Sequence, residues 1–276
     1  MRPTCVVTGA SSGIGAETAL GVAKAGHDVA LVGRDRPRLD TVAARCREAG
    51  TEAATYTADF ASLDEVRALA AALLRDHPRI DVLVNNAGAA LTERRLTADG
   101  FEATFAVNHL APYLLTRLLL DRLIASAPAR VVVVASDAHK FGDVDPDDWM
   151  METGWKPMRA YGRSKLCNIL FTTELARRVD GTGVAVNCLH PGFVSTSLGR
   201  ENRLAQLGLR LIGPFISSPD KGARTSVLLA TDSIGASNGG RYFVSGRPRA
   251  AKPYATDPAH ARRLWEDSAQ MVGLEP

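Results

Sequence analysis

The chain lacks the features that would assign it to several large classes. It has four cysteines in 276 residues, Cys5, Cys46, Cys167 and Cys188, with no C-x-x-C pair and no histidine cluster at metal-ligand spacing. It therefore reads neither as a disulfide scaffold nor as a metal protein. Its thiols read as reduced groups, with Cys5 and Cys188 acting as small hydrophobes inside strand-like runs. Charge of one sign is also missing: 33 Lys and Arg stand against 30 Asp and Glu, interspersed, for a net +3. That balance argues against a nucleic-acid partner or an anionic membrane surface. No stretch reaches the roughly 18 uninterrupted apolar residues of a spanning helix. The opening MRPTCVVTGAS enters a strand-like run at once and leaves no room for a signal peptide. The expectation is a soluble, cytoplasmic protein. Internal repeats, low-complexity segments and linkers are absent too.

What is present is a regular alternation. Apolar residues make up 46% of the chain, enough for a sizeable core. Short β-branched runs fall at residues 4–8, 28–33, 53–58, 80–86, 130–136, 184–190 and 241–245. Helical patterns lie between them, at 14–25, 36–49, 63–76, 101–126 and 161–179. Strands that are apolar throughout are buried on both faces, as in a parallel sheet built by helical crossovers. The reading is one α/β domain over residues 1–276. It is a doubly wound parallel sheet of about seven strands with helices on both faces. Such folds bind ligands beyond the carboxyl ends of their strands.

Beyond the first strand stands TGASSGIG, with Gly9, Gly13 and Gly15 between strand and helix. Glycines there permit a tight turn and let main-chain N–H groups approach a pyrophosphate at the helix N-terminus. Ser11, Ser12 and Ile14 complete the candidate cofactor turn. The spacing is G-x-x-x-G-x-G rather than the commoner G-x-G-x-x-G. The second strand ends in LVGRD, where an acidic residue would usually meet a free ribose hydroxyl. Here Gly33 removes bulk and Arg34 offers a planar cation suited to a phosphate, which favours NADP(H) over NAD(H). Asp35 weakens that preference if it, rather than Arg34, faces the ribose. After the third strand, Asp59 is placed either to accept from an adenine amino group or to cap the next helix, with Phe60 beside it. Ser62, with Glu65 three residues on, makes the better cap. The fourth strand ends in NNAG, whose Asn86, Ala87 and Gly88 suit close main-chain approach to the adenine-side ribose.

The candidate catalytic end follows the fifth and sixth strands. Ser136 follows the fifth strand, YGRSK carries Tyr161 and Lys165 four apart on one helix face, and Pro191-Gly192 follows the sixth. Val194 and Thr196 come next, with Thr196 placed for a carboxamide or phosphate. Taken in order, TGASSGIG, NNAG, the serine, YGRSK and the PG turn resemble the short-chain dehydrogenase/reductase family over nearly the full chain. FAVNHLAPYLLT, the pair Ala138-His139 and the C-terminal ARRLWEDSAQMVGL resemble its retinol dehydrogenase branch.

The resemblance implies a Rossmann-type fold, an NADP(H) cofactor and an apolar carbonyl or alcohol substrate. It also implies a catalytic tetrad at Asn108, Ser136, Tyr161 and Lys165, and a homodimer paired through the helices at 101–126 and 161–179. The chemistry is coherent. Hydride transfer to a carbonyl carbon needs a proton at the oxygen, which Tyr161 would supply and, in reverse, accept. An ammonium about 4 Å from a phenol is worth about 4 kcal/mol at an effective dielectric near 20, enough to lower its pKa by up to about three units. Lys165 is expected to have that effect on Tyr161. Ser136 would fix the substrate oxygen. Pro112 lacks an N–H, so the carbonyl of Asn108, four residues earlier, loses its helical partner and could hold a relay water. His109 and His190 read as structural or exposed. A non-redox cyclase, isomerase or dehydratase, or a nucleotide-sensing scaffold, would use the same fold.

Two segments could carry substrate specificity. Residues 137–160 hold Trp149, Met150, Met151, Trp155 and Met158 beside Asp143, Asp145, Asp147 and Asp148. They read either as a wide apolar pocket or as a loop packed on its own body. Residues 195–220 include Leu204, Leu207, Leu211, Ile212, Phe215 and Ile216 with Gly199, Gly208 and Gly213, the composition of a substrate lid. Arg200, Arg203 and Arg210 there allow a membrane-surface alternative.

Overall fold

The computed structural model describes residues 2–192, 218–236 and 239–276. Its strands are β1 (Thr4–Thr8), β2 (Asp28–Gly33), β3 (Ala53–Thr57), β4 (Val82–Asn85), β5 (Ala129–Val134), β6 (Val184–His190), β7 (Arg241–Val244) and β8 (Arg247–Arg249). They form one sheet in the order β3-β2-β1-β4-β5-β6-β7-β8. All neighbours are parallel except β7 and β8. The strand order reverses at β1, between β2 and β4, so the crevice beyond β1 and β4 is the topological switch point.

The sheet has eight strands rather than about seven. Val244 pairs with Arg247 across Ser245 and Gly246, both at positive φ (50° and 74°). Two positive φ angles match the twist of a two-residue hairpin. The added strand is three residues long and contains Pro248, which an edge tolerates.

Sheet residues alternate between two apolar layers. Val6 faces a layer covered by α3 (Leu63–Asp76), α5 (Ala111–Ala125), α6 (Pro157–Arg178) and α8 (Pro258–Met271). Cys5 and Val7 face the other, covered by α1 (Gly13–Lys24), α2 (Arg36–Glu48) and α7 (Pro219–Thr231). All four cysteines are buried, and burial pushes their thiols up. The C-terminal helix is fixed through Trp265, which stacks on Phe171 and lies under the guanidinium groups of Arg117 and Arg178 at 4.8 and 4.5 Å from its ring centroid.

The apolar run at 101–126 is not one helix. A single turn, α4 (Ala103–Phe105), leads into a π-helical stretch, Ala106–Leu110, before α5 begins. The Ala111 N–H reaches the Ala106 carbonyl, five residues back. Pro112 cannot donate, and the backbone meets that loss with a wider turn at Asn108. Among the described residues, no helix is long and apolar enough to cross a membrane.

Candidate active site

The first site feature is the turn after β1. Gly9 and Gly13 adopt positive φ (67° and 58°). A Cβ at Gly9 would lie 2.9 Å from the Ala87 Cα, and one at Gly15 would lie 2.2 Å from the Gly9 carbonyl oxygen. Only glycine lets these segments meet. Ser12 stands before α1 in extended conformation, makes no side-chain cap bond, and is followed by no acidic residue in the first turn. The helix start therefore keeps free N–H donors and positive dipole character. Ile14 is buried.

Thr8 ties this turn to the end of β4, a role sequence reading missed. Its hydroxyl donates to the Val84 carbonyl and accepts from the N–H groups of Asn86 and Ala87, both at 3.0 Å. Asn86 answers by donating its amide to the Thr8 carbonyl at 2.7 Å. Asn85 turns into the core, donating to Thr116.

At the end of β2, a Cβ on Gly33 would sit 3.4 Å from the Ser11 hydroxyl oxygen, so this strand end abuts the glycine turn. Asp35 is engaged by the helix that follows. Its carboxylate caps α2, accepting from the Arg38 N–H at 3.1 Å, and pairs with the Arg38 guanidinium at 3.2 Å. Arg34 is exposed, and its guanidinium lies 3.9 Å from the Asp59 carboxylate. Asp59 does not cap α3. It accepts from the Ala61 N–H, while Ser62 caps the helix and Glu65 reaches back to the Asp59 N–H. The Phe60 ring is buried in the core.

The catalytic candidates come from four elements. Ser136 follows β5 and opens a short 3-10 turn, Asp137–Phe141, where its hydroxyl accepts from the Ala138 N–H at 3.1 Å. The same hydroxyl neighbours the Tyr161 phenol and favours its ionised form. Tyr161 lies in the second turn of α6, with the Lys165 ammonium 5.7 Å from its ring centroid. Lys165 is buried and donates to the Val134 carbonyl at 3.0 Å. Asn108 donates to the Ala89 carbonyl and Ser164 hydroxyl, and its own carbonyl oxygen accepts from the Ala89 N–H. Gly88 sits between them: a Cβ there would lie 3.1 Å from Asn108 Oδ1 and 3.4 Å from Lys165 Nζ. The four candidates are thus joined around Gly88 and the end of β5.

Their electrostatics differ from the sequence expectation. Burial pushes the Tyr161 phenol above its ordinary value, opposed by the Ser136 hydroxyl. Burial also lowers Lys165 to about 8. The lysine ammonium donates to the Val134 carbonyl. Desolvation is the largest cause of both shifts.

Gly142 and Gly162 are two further determinants that sequence reading missed. A Cβ on Gly162 would lie 2.6 Å from the Ala138 carbonyl oxygen, and one on Gly142 would lie 2.6 Å from the Arg163 nitrogen. The turn that begins at Ser136 therefore rests directly on the α6 backbone beside Tyr161. Asp143 secures it through ion pairs to Arg159 (2.6 Å) and Arg163 (2.8 Å).

The 137–160 segment is largely packed on its own body. Trp149 is buried and donates to Asp267 on α8 at 2.7 Å; Trp155 donates to Glu102 at 3.2 Å; Met151 is buried. Phe141 and Met158 remain exposed, at 66% and 58%. His109 and His190 are buried rather than exposed: His109 bonds Ser268 and His190 accepts from the Asp137 N–H. Pro191 and Gly192 follow β6, with Gly192 at φ 87°. Val194, Thr196 and the expected lid from Leu198 onward lie outside the described residues up to Ser218.

The model of the short chain dehydrogenase family matches residues 3–207. The chain belongs to the short-chain dehydrogenase family, whose members are oxidoreductases. It is 42% identical to human retinol dehydrogenase 14, over 98% of this chain and 86% of that one. It is 43% identical to DnrU of Streptomyces sp. (strain C5), named for daunorubicin C-13 ketoreduction, over 98% and 92% of the two chains. Within the family it falls in the retinol dehydrogenase-like branch. Among solved structures, the Pseudomonas aeruginosa RhlG/NADP active-site complex is 27% identical with a TM-score of 0.72, over 88% of this chain and 94% of that one.

Proposed function

We propose that the chain is an NADP(H)-dependent oxidoreductase that interconverts a bulky, largely apolar ketone or aldehyde with its alcohol. The observation that carries this reading is the gathering of Ser136, Tyr161 and Lys165 at the end of β5, with the Ser136 hydroxyl acting on the Tyr161 phenol and the Lys165 ammonium 5.7 Å from its ring centroid. The residues present fit a dinucleotide. Glycines 9, 13 and 15 leave a cradle that side chains would fill, at a helix start with free donors. Arg34 supports the 2′-phosphorylated form, because the neighbouring Asp35 is engaged by its own helix. Bound NADP(H) supplies the hydride.

Tyr161 moves the proton. Its raised pKa keeps the phenol protonated at neutral pH, poised to donate from Oη to a carbonyl oxygen as that oxygen gains charge. Ser136 orients the same oxygen and the phenol together. Lys165, protonated below about 8, supplies positive charge beside the developing phenolate. Asn108 braces Ala89 and Ser164 around Lys165, and its main-chain carbonyl at the π turn would hold a water that relays protons between Lys165 and solvent. The exposed Phe141, on the turn after Ser136, and Met158, one turn before Tyr161, offer apolar surface to the substrate. Retinol and daunorubicin, named for the two relatives, are both bulky ring compounds.

The test is NADPH oxidation by the purified protein over a panel of apolar aldehydes and ketones that includes all-trans-retinal. Turnover with NADPH exceeding that with NADH is expected. A protein that binds NADPH yet oxidises it with no member of the panel contradicts the reading.

A further inference from the structure

We propose that His139 is a positioning residue for Ser136, acting through an Nδ1–H donated to the Ser136 carbonyl. The inference rests on the roles given above to Ser136 and Tyr161. His139 is fully buried, three residues after Ser136 and one turn from the substrate oxygen's expected place. Its Nδ1 lies 2.8 Å from the Ser136 carbonyl oxygen, and its Nε2 accepts from the Lys252 N–H at 3.4 Å. A main-chain N–H can only donate, so Nε2 is the acceptor and Nδ1 carries the proton. Burial lowers the ring's pKa, which keeps it in this neutral form.

The geometry explains why this matters to Ser136. Its carbonyl already receives the His139 N–H at 3.0 Å, and the imidazole supplies a second donor. That fixes the peptide plane next to the Ser136 Cβ, and with it the direction of the hydroxyl toward Tyr161. The ring is held in turn from the neighbouring strands. Tyr242 on β7 meets it edge-on at 5.3 Å and donates its own hydroxyl to Asp137 at 2.8 Å. The Asp137 N–H bonds His190 at the end of β6 at 3.2 Å, and Lys140 pairs with the Asp137 carboxylate. A buried histidine bonded at both ends, between the catalytic serine and the chain after β8, is more than core filling, which needs no polar atoms.

The two ring nitrogens can be tested separately. In His139→Asn the amide nitrogen takes the Nδ1 position and keeps the donor to Ser136. In His139→Gln the amide reaches the Nε2 position and that donor is lost. The assay is reduction of all-trans-retinal, or of another carbonyl that the wild type reduces, with saturating NADPH. Expected is a kcat fall of about tenfold or more for His139→Gln with KM changed less than about twofold, and recovery of most of that loss in His139→Asn. NADPH binding, followed by fluorescence, stays near wild type in both. Equal kcat in Gln variant and wild type overturns the proposal, as does an Asn variant impaired as badly as Gln. If the Gln variant does not fold, Tyr242→Leu carries the test, since it removes the ring edge that holds the imidazole. A kcat loss of about threefold without a KM change supports the proposal, and a wild-type kcat overturns it. Loss of turnover in Tyr161→Phe with wild-type behaviour in every His139 and Tyr242 variant leaves the proton-transfer reading standing and removes this one.

Discussion

Gly162 meets Gly142 backbone to backbone: a Cβ on Gly162 would lie 2.8 Å from the Gly142 nitrogen and 2.6 Å from the Ala138 carbonyl oxygen. The residue after Tyr161 is therefore what lets the Ser136 turn settle on α6. Neither neighbour is a flexible side-chain end, so any added carbon must push main chain apart. Overpacking of this kind costs about 1–3 kcal/mol. Gly162→Ala is expected to lower thermal stability by that order and to reduce kcat, and Gly162→Val to do both more severely. Melting curves and steady-state kinetics check this. Wild-type melting and kcat in Gly162→Val would show that the contact is slack.

Gly15 makes a similar claim at the cofactor end, where a Cβ would lie 2.2 Å from the Gly9 carbonyl oxygen. Gly15→Ala should weaken NADPH binding at least tenfold, about 1.4 kcal/mol. Titration of the nucleotide by fluorescence gives the answer. An unchanged Kd would mean that the turn is not the dinucleotide cradle.

Arg34 bears on cofactor choice. Its partner Asp59 is 3.9 Å away and both side chains are well exposed, so little stability rests on the pair. Arg34→Ala is expected to raise the KM for NADPH about tenfold or more and to leave NADH nearly unaffected. Equal effects on the two nucleotides would remove the specificity argument.

The pH profile of reduction should report Lys165. Burial lowers its folded-state pKa to about 8, and the proposed role needs the protonated form. Activity is therefore present below about 8 and lost as pH rises through that value. Tyr161, shifted upward, stays protonated across the same range. The measurement is kcat/KM for carbonyl reduction against pH. Lys165→Arg, with a cation that does not titrate in this range, should lose that limb at a lower overall rate. A wild-type profile flat well beyond about 8 contradicts the assignment.

Much of this was legible in the chain. Runs such as CVV and VVVV are buried on both faces and announce a parallel sheet, and the residues after them gather where such sheets bind ligands. Gly9 and Gly13 announced themselves because their positive φ excludes most other residues. What stayed hidden depends on partners distant in sequence. Thr8 is an ordinary strand threonine until β4 brings Asn86 and Ala87 to its hydroxyl. Gly142 and Gly162 carry no local signal, since both have ordinary φ and matter only where two segments cross. The tryptophans and methionines of the 137–160 segment read equally as pocket lining or as a loop packed on its own body, and Trp149 and Trp155 are taken up by Asp267 and Glu102, carboxylates far from them in sequence. Proline at 112 signalled a break in the helix, while its form, a π turn, came from the way the backbone absorbed the missing donor.

The central claim is that Tyr161 moves the proton. Tyr161→Phe keeps the ring beside Lys165 and removes only the hydroxyl. The direct measurement is single-turnover carbonyl reduction by this variant with NADPH already bound, beside an equilibrium titration of NADPH. The account predicts that turnover falls by about a hundredfold or more, in the range of a lost general acid, while the Kd for NADPH changes less than about threefold. Turnover within a few fold of wild type, with NADPH bound normally, would contradict it.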